Sequence, residues 1–116
     1  HVNHPCAIWC RENRDNYSFL WNYLNEHCKE YTYRYGKVHK VEADGMLDYL
    51  RFQPNNIPLG NITPPPQAMP PQYQDPKSTV QAYRNYYKYG KAHLHKWKNR
   101  ERPDWIKWSE NANVFV

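Results

Sequence analysis

Apolar side chains recur at helical spacing in the first third of the chain. From Tyr17 onward they follow at intervals of three, one, three, four and three residues, which places them on one helical face. The six residues are Tyr17, Leu20, Trp21, Leu24, Cys28 and Tyr31. Asp15 or Asn16 is expected to cap this helix, because short polar side chains accept hydrogen bonds from its first free N–H groups. Gly36 is expected to end it, since glycine adopts the left-handed conformation without strain.

Shorter helices are predicted on either side of this one. Pro5 suits the first turn of a helix toward Arg11, because its missing N–H would have no partner there. A third helix is expected from Val38 to Phe52, weakened by Gly45. No segment alternates apolar and polar residues as a half-buried strand does. The fold class is therefore predicted to be all-α.

Eight of the ten prolines lie between Pro54 and Pro76. No helix is expected there, because proline lacks a donor and restricts the residue before it. This stretch divides a helical block (1–52) from a basic aromatic block (78–116) by a connector (53–77). A disordered linker is one interpretation; apolar residues spaced along the connector favour an extended strap. We predict a single domain, 1–116, a compact bundle of about four helices with the proline-rich connector strapped across it.

The block after the connector carries two stripes on one predicted helix. Ser78 or Thr79 is expected to cap it, and Val80, Tyr83, Tyr87, Leu94 and Trp97 share its apolar face. A basic stripe runs beside that face at spacings of four, three, four and three: Arg84, Lys88, Lys91, His95 and Lys98. Gly90 lies inside this run and allows a kink or a break there.

Composition makes the expected core aromatic and shallow. Leu, Ile, Val and Phe number only 19 of 116 residues, a fraction typical of disorder, but 11 Tyr and 5 Trp add large amphipathic bodies. The three cysteines are an odd number at low density, so we expect no disulfide framework, reduced thiols and a cytoplasmic location. No apolar run approaches the roughly 18 residues of a membrane span.

The excess charge is local. The formal charge is +5, yet the segment from Arg84 to Lys107 has eight basic residues against Glu101 and Asp104, a charge of +6. Aromatic residues interleave with these cations: Tyr86, Tyr87, Tyr89, Trp97, Trp105 and Trp108. Cations attract phosphates and rings stack on unpaired bases, so the pattern predicts nucleic-acid binding, with DNA favoured over RNA. The alternative is a solvated helix face whose aromatics belong to the core. A smaller basic patch lies between Tyr31 and Lys40. It either extends the predicted nucleic-acid-binding surface or complements the partial negative charge at a helix C-terminus.

Metal binding and catalysis have little support. Cys6 and Cys10, with His1 or His4 nearby, have the spacing of half a zinc site, but the second half is missing. We predict no metal and no cofactor. The chain has no phosphate loop, serine nucleophile elbow or zincin helix. His4 and Glu12 are the remaining catalytic candidates, as an acid/base pair; a solvated Glu12 is the alternative.

Five phrases of the sequence together carry a family resemblance: NHPCAIW, EYTYRYGKVH, PQAMP, AYRNYY and RPDW. With them the chain resembles an uncharacterised family of phage-encoded proteins. More distantly, it is similar to pyrimidine-dimer DNA glycosylases of the endonuclease V type, which are small, basic, all-α enzymes. The tail matches that family's R-P-x-W-x-K-aromatic run, which helps engage damaged DNA, at Arg102, Pro103, Trp105, Lys107 and Trp108. Upstream, the family has a His followed by a long helix that carries a Cys and ends at a Gly, and His4, Cys28 and Gly36 loosely resemble this arrangement.

The resemblance implies DNA contacts but no catalytic residue. Catalysis in the family uses an N-terminal α-amine, which attacks the sugar C1′ to form an imine, and a Glu on the first helix. His1 does not fit the Thr-started N-terminus, and Glu12 does not lie in the matching helix. If residues precede His1 in the natural protein, we expect the chemistry to lie there and the chain as given to be inactive. A phage-infected host cell is the implied location.

We therefore predict a DNA-binding protein of glycosylase-like lineage, with a role in DNA repair. A basic helix is expected to hold phosphates while C-terminal tryptophans stack on a displaced base. The expected contact residues are Arg84, Lys88, Lys91, His95, Lys98, Arg102, Trp105, Lys107 and Trp108. The alternative is a non-enzymatic phage protein that binds a protein partner through an aromatic and proline-rich surface. A membrane partner is not expected.

Overall fold

A computed structural model of the chain describes residues 1–109 and 114–115. The chain divides into two compact units, His1–Pro66 (unit 1) and Gln67–Val116 (unit 2). The boundary lies inside the proline-rich segment, so each unit takes part of it. The predicted single bundle with a strap across it stays a prediction.

Unit 1 has four α-helices: α1 (Pro5–Glu12), α2 (Arg14–Tyr35), α3 (Lys40–Ala43) and α4 (Met46–Leu50). α1 begins at Pro5 as expected, and α2 ends at Gly36, whose φ of 64° lies in the left-handed region. These two ends were predictable because a single residue determines each of them.

Two details of the predicted helices are wrong. α2 is capped by Asn13, whose Oδ1 accepts from the N–H of Asn16 at 2.9 Å, and not by Asp15 or Asn16, which lie inside the first turn. Asn13 is the single residue between α1 and α2, and its extended backbone ends one helix and begins the next. The predicted third helix is two short ones, α3 and α4, because Gly45 between them has a φ of 79°.

The first part of the proline-rich segment packs on the α1–α2 junction. The N–H of Arg14 donates to the carbonyl of Pro58 at 2.9 Å, and Asn13 Nδ2 donates to the carbonyl of Asn61 at 3.0 Å. Ile57 is buried beside these bonds. Gly60 approaches so closely that a Cβ there would lie 2.7 Å from Asn13 Cβ, so no larger residue fits without movement.

A buried polar hub holds the same segment. Asn16 is fully buried; its Nδ2 donates to the carbonyl of Trp9 at 3.0 Å and to Thr63 Oγ1 at 3.1 Å. Its Oδ1 accepts from the N–H of Thr63 at 3.0 Å, and the indole of Trp9 also donates to Thr63 Oγ1 at 2.9 Å. Apart from Ile57, the buried apolar residues of this unit are few, Trp9, Cys28 and Leu47, so polar bonds supplement a small core.

Unit 2 begins with a 3₁₀ turn (Pro71–Tyr73) and continues with α5 (Thr79–Asn85), a π-helix (Tyr86–Gly90) and a second 3₁₀ turn (Ala92–Leu94). Ser78 caps α5 as expected, its Oγ accepting from the N–H of Gln81 at 3.1 Å. The predicted single helix carrying a continuous basic stripe is wrong, because regular α-helix ends at Asn85. The π-helix that follows ends at Gly90, where the sequence allows a break. A Cβ at this position would lie 2.6 Å from the ring of Tyr86.

Strand is limited, in the described part of the chain, to a short antiparallel pairing. β1 (Trp108–Ser109) and β2 (Val114–Phe115) place Trp108 opposite Phe115 and Ser109 opposite Val114. The predicted all-α class is thus confirmed. None of the described helices has the length and apolar character that crossing a membrane requires.

Candidate nucleic-acid interface

The net charge follows the division into units. Unit 1 has seven basic and seven acidic residues, whereas unit 2 has nine basic and four acidic ones. Unit 2 therefore carries the whole formal charge of +5. An electrostatic attraction to a polyanion would act on this unit.

Arg84 and Trp105 lie against each other in unit 2. Arg84 is in the last turn of α5, and its Cζ lies 5.1 Å from the centroid of the Trp105 ring. The tail reaches this position through a turn in which the N–H of Ile106 donates to the carbonyl of Pro103 at 3.0 Å. Ile106 is fully buried and anchors the neighbouring half-buried Trp105. Ile106 was not predicted from the sequence. The only sign of its role there is that it is an aliphatic residue among charged and aromatic ones.

Two lysines of the predicted stripe also lie over aromatic rings. Lys88 Nζ is 5.2 Å from the centroid of Tyr89, and Lys91 Nζ is 5.1 Å from that of Tyr86. The Tyr86 ring in turn packs on Tyr73, with centroids 5.2 Å apart. Cations attract the negative face of a ring, so these contacts help hold the side chains in place.

A row of rings continues from Trp105. The Tyr87 ring meets Trp105 edge-on at 6.0 Å and stacks on His95 at 4.6 Å, and His95 contacts Trp97 at 5.3 Å. His95 Nε2 lies 2.8 Å from the carbonyl of Tyr87, to which it donates. The predicted contact residue His95 is therefore engaged inside unit 2 and does not continue a helical stripe.

Several predicted contacts carry uncompensated charge. Within the described residues, no carboxylate oxygen lies within 4.0 Å of five of the basic side chains: Arg84, Lys88, Lys91, Arg102 and Lys107. In unit 1, Lys29 pairs with Glu26 at 3.1 Å and Arg34 with Glu30 at 2.7 Å, whereas its other basic side chains also have no described carboxylate within 4.0 Å. These five cations of unit 2 are thus available to an external anion.

The other predicted contacts are less well placed. Arg102 and Lys107 are exposed on either side of the tail turn, and Lys98 is exposed in a segment without regular structure. The backbone of Trp108 lies in β1, and its side chain falls outside the described residues. The structure therefore brings together Arg84, Trp105 and the row of rings, but it does not align all nine residues on one helix.

The catalytic candidates His4 and Glu12 do not meet as a pair. His4 caps α1, with its Nδ1 accepting from the N–H of Cys6 at 3.0 Å, while Glu12 is the exposed last residue of that helix. Eight residues at 1.5 Å each separate them by about 12 Å along the axis. A shared proton transfer between them is not possible in this arrangement.

The cysteines show the character of packed thiols. Cys10 Sγ donates to the carbonyl of Ala7 at 3.2 Å, and burial raises its pKa above the usual value of 9.0. Cys28 is buried. Its burial, and to a smaller extent the negative charge of Glu42, raises the pKa of this thiol as well. Among the described residues, no group of three or more His, Cys, Asp or Glu side chains could hold a metal ion.

An apolar groove of about 410 Å³ lies in unit 1. Its lining residues are Cys10, Tyr17, Leu20, Trp21, Tyr23, Leu24, His27 and Leu50. Tyr17 donates to the carbonyl of Leu50 at 2.6 Å, and the indole of Trp21 donates to that of Leu47 at 2.9 Å. These bonds use the polar groups of both rings, so mainly apolar surface faces the groove. Four residues of the apolar stripe predicted from the sequence, Tyr17, Leu20, Trp21 and Leu24, therefore line this groove.

Comparisons of the chain with protein families, with curated proteins and with solved structures found no match. The resemblance to phage proteins and to glycosylases therefore stays a prediction from the sequence.

Proposed function

We propose that this chain is a nucleic-acid-binding protein, with DNA as the first candidate, and that unit 2 is its binding unit. The observation that carries the proposal is the concentration of the whole net charge in unit 2. Arg84, Lys88 and Lys91 lie beside aromatic rings, and these three cations lack carboxylate partners among the described residues. A structural role alone would not require so many uncompensated charges, whereas a phosphate backbone converts their repulsion into attraction.

Two kinds of contact follow from this arrangement. Lys88, Lys91, Arg102 and Lys107 contact phosphates, and each contact releases a counterion. Trp105 takes part in base recognition, which needs a base that is not stacked in a duplex. The tail resemblance to endonuclease V-type glycosylases supports damaged DNA as the natural ligand, and with it the proposed place of the chain in a phage repair lineage.

Fluorescence anisotropy with labelled oligonucleotides over a series of salt concentrations tests the proposal. We expect affinity to fall steeply with salt. Lys88→Gln with Lys91→Gln should lower the magnitude of the log–log salt slope by about 0.9 per lost contact on duplex DNA and about 0.7 on single strands. The matched control is Lys37→Gln with Lys40→Gln, which removes two exposed charges from unit 1.

The control pair should leave the slope unchanged. Equal losses in the two double variants would show that the attraction is not confined to unit 2. Binding of none of the oligonucleotides at low salt would refute the proposed function.

A second candidate function is a complex with a protein partner. The observation that favours it is the neutral unit 1, with its apolar groove and exposed Tyr23, Tyr49 and Phe52. An apolar interface of this kind depends little on salt, because it has few charges to screen. Salt dependence therefore separates the two candidates.

A further inference from the structure

The face of Trp105 that lies under Arg84 is not open to a base. The guanidinium carbon is 5.1 Å from the ring centroid, and the ring also meets Tyr87 edge-on. A base that stacks on this face must either displace Arg84 or stack on the guanidinium. The second route keeps the Arg84–Trp105 contact, and it requires no rearrangement of the site.

A guanidinium is suited to that position. It is planar, delocalised and weakly hydrated, and both rings and nucleobases stack on it. Arg84 is exposed, and no described carboxylate pairs with it. Its position over Trp105 reduces the side-chain entropy that binding would otherwise remove.

The neighbouring cations differ in kind. Lys88 and Lys91 also lie over rings, at 5.2 and 5.1 Å, but an ammonium is a compact point charge without a flat face. Of the three cations that lie over rings in the described part of unit 2, only Arg84 can both carry charge and stack.

We infer that Arg84 and Trp105 form a composite platform, in which an unpaired base stacks on the guanidinium and the indole supports it from beneath. This inference rests on the proposed nucleic-acid function and specifies its ligand: a single strand or an extrahelical base, not an intact duplex. Arg84 thereby has a role in base recognition that a simple phosphate contact would not have.

Arg84→Lys separates the two roles, because it keeps the charge and removes the plane. Three probes are needed: a single-stranded oligonucleotide, the same strand composed of abasic sites, and an intact duplex. We expect Arg84→Lys to weaken binding of the base-bearing strand by about 5- to 150-fold. Binding of the abasic strand and the duplex should change by less than about twofold, with an unaltered salt slope.

Lys91→Gln is the control for a phosphate contact. It should weaken binding of all three probes and reduce the salt slope on each. The double variant Arg84→Lys/Trp105→Ala tests the platform itself: once Trp105→Ala has removed the support, Arg84→Lys should cost less than twofold more. Circular dichroism of each variant verifies that the helix content of the chain is unchanged.

Equal affinity of Arg84→Lys and the unaltered chain for the base-bearing strand would overturn the platform. Additive losses in the double variant would overturn it as well. Both results leave the proposed function standing, whereas absence of salt-dependent binding to all three probes would overturn the proposed function itself.

Discussion

Asn16→Ala should destabilise unit 1 far more than its small change in volume implies. The side chain is fully buried and makes three hydrogen bonds of 3.1 Å or less, one to the carbonyl of Trp9 and two to Thr63. At about 1 kcal/mol net per bond, the substitution costs about 3 kcal/mol. Thr63 is an exposed residue, so its N–H can regain a bond to water, whereas the carbonyl of the buried Trp9 regains less. We therefore expect the full loss of about 3 kcal/mol.

The assay is thermal unfolding together with hydrogen exchange at the Thr63 amide. For a unit of this size, 1 kcal/mol corresponds to a shift in Tm of about 4–8 °C, so Asn16→Ala should lower Tm by more than about 10 °C. Exchange at Thr63 should accelerate, because the bond that protects its N–H is lost.

Asn22→Ala is the matched control. It makes the same chemical change on the same helix, at an exposed position, and should alter stability by no more than about 0.5 kcal/mol. If the two variants had equal Tm values, the hub would contribute nothing, and the proline-rich segment would not depend on Asn16 for its position.

The remaining predictions concern the tail, pH and catalysis. Ile106→Ala should cost about 2–5 kcal/mol in chemical denaturation and weaken binding through the adjacent Trp105, whereas Ile106→Val should cost about 0.5–1.5 kcal/mol; an Ala variant as stable as the Val variant would contradict the anchoring role. Because burial raises the pKa of Cys28, the folded state holds its proton more tightly than the unfolded state. The resulting stabilisation is complete below pH 9.0 and is lost as the pH rises through the pKa of the folded state. Above pH 9.0 the free energy of unfolding should therefore fall less steeply for Cys28→Ala than for the unaltered chain, with both measured in the presence of reductant. Parallel curves for the two chains would remove Cys28 as the cause. From the resemblance to endonuclease V-type glycosylases, whose nucleophilic α-amine has no match at His1, we expect borohydride to trap no covalent adduct of this chain on abasic DNA; robust trapping would show that His1 or a lysine is reactive.

The helix ends were predictable where one residue decides them, as Pro5 and Gly36 do. The cap of α2 was not, because Asn13 serves as linker and cap at once, and the local pattern favours the polar residues that follow it. The hub was also beyond prediction from sequence, since Asn16 and Thr63 are 47 residues apart and only the fold brings them together.

The candidate site was predictable in composition but not in geometry. The net charge of unit 2 and the choice of Trp105 as a candidate contact residue follow from residue types alone. The position of Arg84 over that ring does not, because it depends on a buried Ile106 that fixes the tail. The prediction of a continuous basic stripe on one helix was wrong for a local reason. Regular spacing predicts an α-helix through Tyr86–Gly90, but the backbone there is a π-helix.

The π-helix at Tyr86–Gly90 has a consequence for how the chain can vary in length during evolution. A π-helical turn holds about one residue more than an α-helical turn, so it is the form that a single-residue insertion takes inside a helix. Deleting one residue between Tyr86 and Lys91 would restore an α-turn without turning the residues that follow to another face, because the π-turn absorbs the extra residue locally. Lys91 would then stand four positions after Tyr86 and no longer five, a spacing that places two side chains on the same face of an α-helix. Homologous chains are therefore expected to differ by a one-residue gap at this turn, and those with the shorter form should have kept the Lys91–Tyr86 contact.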